Sequence, residues 1–323
     1  MQKRQGLDAL GYGKMAKPSV GAGEVLVRVV CAGLNPVDFK LANGGMNEWV
    51  WPHVPGVDVA GVVEEVGARV DEVIVGDRVM LHNDIRKQGG LAEYVVGQGH
   101  TVSRLPEGIG FVEAAALPCA GMTALLALDR KVGMVEGQSI LVQAGAGGVG
   151  GFAIQLAKLG GMHVLTTCSG RNVEYVKQLG ADVVIDYTKG DVLQEVKAVT
   201  GGEGVDVVLD LLGGDAGAAA MEMVRFGGHV AYVVGVPDLS GVYGFVKGYS
   251  AHAITLGGAY LSGDWRAQCD LAEMGEELLE MVDEGVIDPL VEEVIGFGEA
   301  VEGLRRLSGG HVRGKIVVQV GEG

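Results

Sequence analysis

The feature that most restricts the fold of this chain is a strand, a glycine-rich turn and a helix that follow one another without a break. The strand-like segment SILVQ (139–143) leads into the turn AGAGGVG (144–150), and an apolar-faced helix, GFAIQLAKLG, follows directly. A glycine pattern in this setting is typical of the turn that holds the pyrophosphate of a dinucleotide. We predict such a site here, in preference to a glycine-rich turn without a ligand.

The glycines of the turn have separate tasks in that prediction. Gly145 permits the tight turn, while Gly147 and Gly148 let backbone N–H groups approach the pyrophosphate. Gly150 permits close packing of the helix on the strand, and Val149 belongs to the same binding segment. The start of the helix then faces the anion with unpaired donors and the positive end of its dipole.

Strands and helices alternate from about residue 139 to residue 258. The strand-like segments are apolar along almost their whole length, which indicates a parallel sheet covered by helices on both faces. These segments are 139–143, 162–168, 181–186, 205–211 and 229–234, and the predicted helices between them are 148–160, 171–180, 189–200 and 215–226. We therefore predict an α/β fold in which this region is a Rossmann doubly wound parallel sheet.

The first third of the chain and its C-terminal part have a different pattern of predicted secondary structure. Short β-rich runs separated by Gly, Pro, Asn or Asp predict an antiparallel barrel or sandwich, with runs at 24–31, 57–66, 73–81 and 91–96. The tail adds a β run at 252–261, amphipathic helices at about 267–285 and 298–308, and a terminal strand at 315–320. A chain of 323 residues exceeds one ordinary core, so we expect two domains.

Composition argues against several classes of protein. The net charge of −16 disfavours general binding to nucleic acid or anionic lipid, and no apolar run reaches the ~20 residues of a membrane span. The four cysteines are far apart and form no CxxC pair, which favours reduced structural thiols. The N-terminal segment MQKRQGLDALGYGK lacks the apolar stretch of a secretory signal, so we expect a cytoplasmic location.

The end of the second predicted strand of the Rossmann region bears on which dinucleotide binds. An NAD site typically has Asp or Glu at this position, where the carboxylate binds the ribose hydroxyls. Here the strand and the residues after it read TTCSGRN (166–172), without an acid. Ser169 and Arg171 can instead bind a 2′-phosphate, Arg171 through a charge-assisted contact. We expect NADPH rather than NADH, with a solvated helix-start residue as the alternative role of Arg171.

Nine segments follow one another in the order known from one family. They are GLNPVDFK (33–40), PGVDVAGVVEEVG (55–67), VGDRV (75–79), GGLAEYVV (89–96), ALPCAGMTAL (116–125), AGAGGVG (144–150), LGADVVIDY (179–187), GAYLSG (258–263) and GKIVV (314–318). Together they resemble the zinc-free quinone oxidoreductases, the zeta-crystallin-like branch of the medium-chain dehydrogenases/reductases, which includes plant alkenal reductases.

The resemblance implies a GroES-like, mainly β domain over residues 1–115, completed by residues 260–323. It implies that the Rossmann domain, residues 116–259, is inserted between these two parts and binds NADPH. It also implies a homodimer that forms through the edge strand near 252–259. The expected partners are therefore a small electrophilic acceptor and a second copy of the chain, with no nucleic acid and no membrane span.

The resemblance also bears on metal. Asn35 stands where zinc-dependent relatives have a catalytic cysteine, and Gly56-Val57-Asp58 replaces their Gly-His-Glu. The four-cysteine structural zinc loop of those relatives has no counterpart either. No metal is expected, while a zinc alcohol dehydrogenase with displaced ligands stays open as an alternative.

The family motifs assign further residues to the cofactor site. Asn35 and Thr123 resemble the pair near the nicotinamide, and Tyr187 resembles the tyrosine that contacts the 2′-phosphate. A half-exposed aromatic at a strand end is the alternative for Tyr187. The cofactor-binding set is completed by Leu212, Gly235 and Lys315.

We assign Asn35, Lys40 and Thr123 to catalysis, with Asn35 orienting the reactants and Lys40 stabilising charge or supplying a proton. An ordinary surface lysine is an equal alternative for Lys40. Alkenal reductases share the motif Asn-Pro-Val-Asp-x-Lys, which favours an enal or enone as the acceptor. For Trp51, pocket lining and core packing both stay open, as do functional and turn-capping roles for Asp38 and Asp58, whereas His53 is expected to be structural.

A chain without a metal to polarise a carbonyl is best matched to an acceptor that is already electrophilic, such as a quinone or an α,β-unsaturated carbonyl. We therefore predict an NADPH-dependent reductase that transfers hydride without metal. The alternative from another class is a catalytically idle NADPH-binding sensor or crystallin-like protein.

Overall fold

The computed structural model describes residues 6–240 and 244–322, and the chain divides into two compact units. The first unit consists of Met1–Met122 and Gly257–Gly323, and the second of Thr123–Leu256. The chain therefore leaves the first unit, forms the second, and returns to complete the first.

The first unit begins with strands and short helices. In chain order they are β1 (Glu24–Gly33), α1 (Pro36–Gly44), β2 (Asp58–Val66), β3 (Arg78–His82), β4 (Tyr94–Gln98), β5 (Ser103–Arg104), α2 (Phe111–Ala116) and α3 (Pro118–Leu125), the last of which crosses into the second unit. A π-helical segment, Leu126–Val132, continues α3.

The second unit alternates strands with helices, and the chain then returns to the first. The elements of the second unit are β6 (Ser139–Val142), α4 (Gly148–Leu159), β7 (His163–Cys168), α5 (Val173–Gln178), β8 (Val183–Asp186), α6 (Val192–Val199), β9 (Val205–Asp210), α7 (Gly214–Met223), β10 (Val224–Tyr232), α8 (Gly244–Lys247) and β11 (Ser250–Ala253). The returning segment forms α9 (Gly258–Ser262), α10 (Trp265–Asp283), β12 (Val291–Gly296), α11 (Ala300–Ser308) and β13 (Lys315–Gln319).

Seven strands of the described chain form the sheet of the first unit, in the order β12-β13-β1-β2-β3-β5, with β4 also paired to β1. The strand pairs are antiparallel except β12 and β13. β1 is rich in β-branched residues and its side chains are buried along nearly its whole length, because it pairs with three other strands around the core. This is the GroES-like mainly β domain that the sequence predicts.

The described strands of the second unit form one six-stranded parallel sheet in the order β8-β7-β6-β9-β10-β11. This is the 3-2-1-4-5-6 order of a Rossmann fold, in which ligands bind outside the carboxyl ends of the strands. Valine, leucine and isoleucine side chains of the strands pack beneath α6 and α7. The predicted doubly wound sheet is therefore confirmed.

Two predicted strands differ from the structure. The run predicted at 73–81 becomes a strand only from Arg78, and this strand ends at His82. Before it, the chain turns through Gly76, whose φ of +97° suits glycine, and Ile74 and Val75 are exposed. The β run at 252–261 ends at Ala253, and Gly258–Ser262 is helical. That helix buries Tyr260, whose hydroxyl donates to the backbone oxygen of His82 at 2.6 Å.

Candidate functional site

The glycine-rich turn joins the end of β6 to the start of α4 at the middle of the parallel sheet. The backbone N–H groups of Ala144 and Gly145 donate to Thr167 Oγ1 and to the Thr167 carbonyl oxygen, both at 3.0 Å. Ala144 itself adopts a φ of +52°, which is uncommon for a residue with a side chain. Neighbouring strand β7 therefore holds the turn in shape before any ligand is present.

Steric space explains which glycines this turn requires. A Cβ at Gly145 would lie 2.0 Å from Thr166 Oγ1, and one at Gly150 would lie 2.4 Å from the Ala144 carbonyl oxygen. A Cβ at Gly147 would meet only that same oxygen, at an ordinary 3.5 Å. Gly145 and Gly150 are thus needed for packing, whereas Gly147 leaves open space beside the first turn of α4, where backbone donors have no partner within the helix.

Ser169 and Tyr187 each follow the last residue of a strand, and those strands are neighbours. Cys168 of β7 is in register with Asp186 of β8, and the Tyr187 N–H donates to the Cys168 carbonyl oxygen at 3.3 Å. Arg171 lies in a short 3-10 turn, Gly170–Asn172, just before α5, and is exposed. Tyr187 is 52% exposed. The structure thus places Ser169, Arg171 and Tyr187 at the same edge of the sheet.

This edge also carries an acid that the sequence pattern did not indicate. A Cβ at Gly170 would lie 2.7 Å from Asp186 Oδ2, so the carboxylate of β8 reaches the segment that follows β7. Hydrogen bonds from Thr188 and the charge of Lys189, 3.2 Å away, lower the pKa of Asp186. Its negative charge is therefore maintained, and partly balanced, next to the predicted 2′-phosphate position.

A row of buried polar side chains lies where three central strands end. Gln143 follows β6, while Asp210 and Tyr232 end β9 and β10, and the strand register places the three at one level of the sheet. The Asp210 carboxylate accepts from the N–H groups of Leu212 and Gly213, at 2.9 and 3.0 Å. In contrast, Gln143 Oε1 and the Tyr232 hydroxyl are buried without a partner among the described residues. Burial raises the pKa of Tyr232 to about 12, so the hydroxyl keeps its proton.

The loops after these strands hold two more residues of the predicted cofactor set. Leu212 follows β9 and is 50% exposed, held in a turn by Asp210. Gly235 follows β10 with a φ of +128°, a conformation that other residues rarely adopt, and a Cβ there would meet nothing. The second unit thus presents Leu212 and Gly235 on the same side of the sheet as the glycine turn, at the carboxyl ends of the strands.

The first unit contains a buried charged network around Asp58. Lys315 Nζ donates to Asp58 Oδ2 at 3.1 Å, to Asn35 Oδ1 at 2.6 Å and to the Leu34 carbonyl oxygen at 3.3 Å. Asn35 Nδ2 donates to Asp58 Oδ2 at 2.7 Å and to the Gly33 carbonyl oxygen at 3.4 Å. All three ammonium donors of Lys315 and both amide donors of Asn35 therefore point at protein acceptors.

Asp38 closes the turn that brings Asn35 into this network. Its Oδ2 accepts from the Asn35 N–H at 2.8 Å and its Oδ1 from the Val57 N–H at 3.2 Å, so the carboxylate caps the start of α1. Burial, followed by the negative charge of Asp58, raises the pKa of Asp38 to about 7. The turn-capping interpretation fits Asp38, whereas Asp58 also forms the ion pair with Lys315.

The two other residues predicted for catalysis lie outside this network. Lys40 is on the exposed side of α1. Thr123 is 5% exposed and is the residue at which the second unit begins, within α3. Of the three, Asn35 alone takes part in the hydrogen bonds of the Asp58 network that the structure describes.

Trp51 and His53 both pack against Trp49. The His53 ring stacks on Trp49 with centroids 3.7 Å apart, and Trp51 meets Trp49 edge-on at 5.7 Å. Burial lowers the pKa of His53 to about 4, so the ring is neutral at ordinary pH. His53 and Trp51 therefore both belong to the aromatic cluster around Trp49, and a structural role for His53 stays a prediction.

The family model for an alcohol dehydrogenase GroES-like domain matches residues 21–107, and that for a zinc-binding dehydrogenase matches residues 179–318. The chain is 33% identical to the mitochondrial NAD(P)H oxidoreductase RTN4IP1 of Danio rerio, covering 93% of this chain and 84% of the relative. It is likewise 33% identical to a chloroplast envelope quinone oxidoreductase homolog of Arabidopsis thaliana, covering 97% and 95%.

Two further comparisons bear on the chemistry and the fold. A 2-methylene-furan-3-one reductase of Solanum lycopersicum is 35% identical, with 94% of this chain and 74% of the relative covered. The structure of the quinone oxidoreductase from Coxiella burnetii superposes with a TM-score of 0.84 at 31% identity, covering 99% and 98%.

A Rossmann unit with a glycine-rich turn, inserted in the sequence of a GroES-like unit, defines an oxidoreductase that uses a nicotinamide cofactor. More specifically, the chain belongs to the medium-chain dehydrogenase/reductase superfamily, among its quinone oxidoreductases.

The expected cytoplasmic location is wrong by these comparisons. The relatives from Danio rerio and Arabidopsis thaliana are named as mitochondrial and chloroplast envelope proteins. The lack of an apolar N-terminal stretch argued only against a secretory signal, since organelle transit peptides have a different, amphipathic composition. Among the described helices, none combines the length and apolar character that crossing a membrane requires.

Zinc is implied by the description of one matching family model, and the described residues test whether it fits. Asp58, His82 and Cys119 place one ligand atom each within 4.8 Å of one another, and these are ligand types that zinc accepts. The charge does not fit, because the Lys315 ammonium lies 3.1 Å from Asp58 in the protein interior. We therefore derive no chemical step through a metal.

Proposed function

We propose that this protein is an NADPH-dependent reductase that transfers hydride, without a metal, to a quinone or to an α,β-unsaturated carbonyl compound. The observation that carries the proposal is the buried Asp58–Lys315 ion pair, in which an ammonium already balances the charge that a metal cation would need beside Asp58. A carbonyl that nothing polarises is a poor hydride acceptor, so the acceptor must be electrophilic by itself. The names of the relatives from Arabidopsis thaliana and Solanum lycopersicum agree with the two acceptor classes.

The cofactor assignment rests on the second unit. We propose that the pyrophosphate lies against Gly147, Gly148 and Val149, where the space beside the start of α4 is open. We assign Ser169, Arg171 and Tyr187 to the 2′-phosphate, because they follow the ends of β7 and β8. Leu212 and Gly235 would then contact the nicotinamide half. A reduced nicotinamide supplies the hydride when it is bound.

Asn35, Lys40 and Thr123 stay our candidates for the nicotinamide and acceptor end. Both N–H groups of the Asn35 amide are already used by Asp58 and Gly33. Asn35 would therefore act through the free lone pair of Oδ1, which can accept from a carboxamide N–H and so orient the ring. Lys40 is exposed and can donate to a developing enolate or quinol oxygen. Lys315 is assigned to holding Asn35 in place, since its donors are directed at the network.

Oxidation of NADPH tests this proposal, with acrolein, methyl vinyl ketone and 1,4-benzoquinone as acceptors. We expect turnover with at least one of them by a protein preparation treated with a chelator. Tight NADPH binding without turnover on any of the three would favour an idle cofactor-binding protein instead. Turnover that is lost with the chelator and restored by zinc would overturn the metal-free assignment.

A further inference from the structure

Three potential metal ligands meet in the interior of the first unit. Asp58 is directly opposite His82 in the pairing of β2 with β3, so their side chains lie on one face of the sheet. Cys119, in the first turn of α3, donates its backbone N–H to Asp58 Oδ1 at 2.8 Å. Asp58 and His82 are 0% and 2% exposed, and the ligand atoms of all three lie within 4.8 Å of one another.

His82 is the member of this group that has a buried ring nitrogen without a hydrogen-bond partner among the described residues. This nitrogen is Nδ1, and such an atom is costly to bury alone. A neutral imidazole keeps a lone pair on one ring nitrogen, and this is the form in which histidine binds a metal. The sequence motifs gave no sign of this residue, because it lies 24 positions after Asp58 and belongs to none of the family segments.

Lys315 supplies the positive charge in this group. Its ammonium is 3.1 Å from Asp58 Oδ2, and the residue is 3% exposed. A divalent cation beside Asp58 would have to share a buried, low-dielectric space with this ammonium.

We propose that Asp58, His82 and Cys119 are arranged as a set of metal ligands, and that the Lys315 ammonium prevents a divalent cation such as Zn²⁺ or Co²⁺ from binding to them. The ammonium neutralises Asp58 in place of a metal and holds the Asn35 amide at the same time. Removal of the charge opens the site to a metal with oxygen, nitrogen and sulfur ligands. The inference rests on the metal-free part of the proposed function, but it concerns metal binding and not turnover.

Cobalt binding by Lys315→Met tests the inference, because methionine keeps most of the lysine stem and removes the charge. We expect this variant to bind about one Co²⁺ per chain with a thiolate-to-cobalt charge-transfer band, at least about tenfold more tightly than the parent. Lys315→Arg is the matched control, since it keeps the charge, and it should bind no better than the parent. Lys315→Met combined with Cys119→Ala should lose the thiolate band.

A Lys315→Met chain that is folded by circular dichroism and shows no thiolate band would overturn the inference. If that variant does not fold, the parent and its Cys119→Ala variant decide the matter. If the parent binds cobalt tightly, and Cys119→Ala abolishes its thiolate band, the site is open and the inference is wrong. If the parent shows no thiolate band, the result supports exclusion of the metal. Because each arm measures metal and not NADPH oxidation, failure to reduce any acceptor would leave these results unaffected.

Discussion

Two clusters of buried polar groups, one in each unit, differ in how their side chains are paired. In the first unit, Asn35, Asp58 and Lys315 direct their donors and acceptors at one another. In the second, Gln143 Oε1 and the Tyr232 hydroxyl lie buried at the carboxyl edge of the sheet, with no partner in the part of the chain that the structure describes. In the first network the charges of Asp58 and Lys315 already balance each other, whereas the carboxyl edge of the second sheet has neutral hydrogen-bonding groups that a ligand can use.

Loss of the Lys315 charge should give the largest effect. Lys315→Met leaves the Asp58 carboxylate buried without its cation, and breaking a buried ion pair in this way typically costs about 3–5 kcal/mol of folding free energy. Urea denaturation followed by circular dichroism measures this change. Lys315→Arg should lose much less, and an equal loss in both variants would show that packing and not charge is responsible.

Arg171→Ala should change cofactor choice and leave the fold intact. If Arg171 binds the 2′-phosphate, the variant loses roughly 1.5–3 kcal/mol of NADPH binding, the range for a charged hydrogen bond, with little effect on NADH. Titration of each cofactor by fluorescence measures both affinities. An equal weakening of the two cofactors contradicts the assignment.

Asp186→Asn should change the preference between NADPH and NADH in the opposite direction to Arg171→Ala. Removal of the carboxylate next to Gly170 should strengthen NADPH binding relative to NADH, because a like charge near the phosphate disappears. If NADPH binding weakens instead, the phosphate lies elsewhere.

Gly145→Ala and Gly147→Ala should distinguish a glycine that the fold of the turn requires from one that cofactor binding requires. The Cβ at Gly145 would overlap Thr166 Oγ1, so we expect a loss of about 1–3 kcal/mol in folding free energy. Gly147→Ala should fold like the parent and still bind the cofactor less tightly, since its methyl group occupies the pyrophosphate approach. Thermal unfolding with and without NADPH distinguishes the two, and a stable Gly147→Ala variant with unchanged affinity argues against the proposed approach.

Asp38 should make the stability of the first unit depend on pH. Its pKa is raised from 3.8 to about 7, so the folded state holds a proton that the unfolded state releases. Its contribution is therefore largest below pH 3.8 and is lost as the pH rises through about 7, with a slope of at most about 1.4 kcal/mol per pH unit. His53, with a pKa lowered to about 4, works in the opposite direction over pH 4 to 6.5.

Comparison of the parent with Asp38→Asn isolates the first of these effects, because His53 is present in both proteins. The difference in unfolding free energy should shift against the parent between pH 5 and about 8. A constant difference over that range would mean that Asp38 does not titrate there.

Tyr232→Phe should have the smallest effect without a ligand. The hydroxyl has no partner among the described residues, so the folding free energy should change by less than about 1 kcal/mol in either direction. A loss much larger than this would mean that the hydroxyl is already paired. A cofactor affinity that falls in this variant would show that the ligand uses the unpartnered edge.

Local patterns in the sequence were enough to predict most of the fold. A parallel sheet with a binding edge is predicted by the apolar strands β6, β7 and β9 together with the glycine turn. Strand β12 was missed because VEEVIG is charged and only partly buried at the edge of its sheet. The helix Gly258–Ser262 was predicted as strand because its burial depends on a contact with His82, far away in the sequence.

The candidate site was predictable only where its residues are close in sequence. The turn 144–150 and the segment after β7 lie within one strand-helix-strand unit, and their roles follow from that pattern. Asp186 reaches Gly170 only through the register of β7 and β8. Lys315 and Asp58 are 257 positions apart, and no periodicity connects them. Ion pairs and strand neighbours of this kind depend on topology, which the local sequence does not contain.

The position of Lys315 in the final strand has a consequence for the order in which the protein matures on the ribosome. The second unit is complete once Leu256 has emerged, but the first 122 residues must wait for the tail. Until Lys315 arrives, Asp58 has no cation and β1 lacks its neighbour β13. We therefore expect the unit whose translation begins first to complete its fold last, after the second unit has formed.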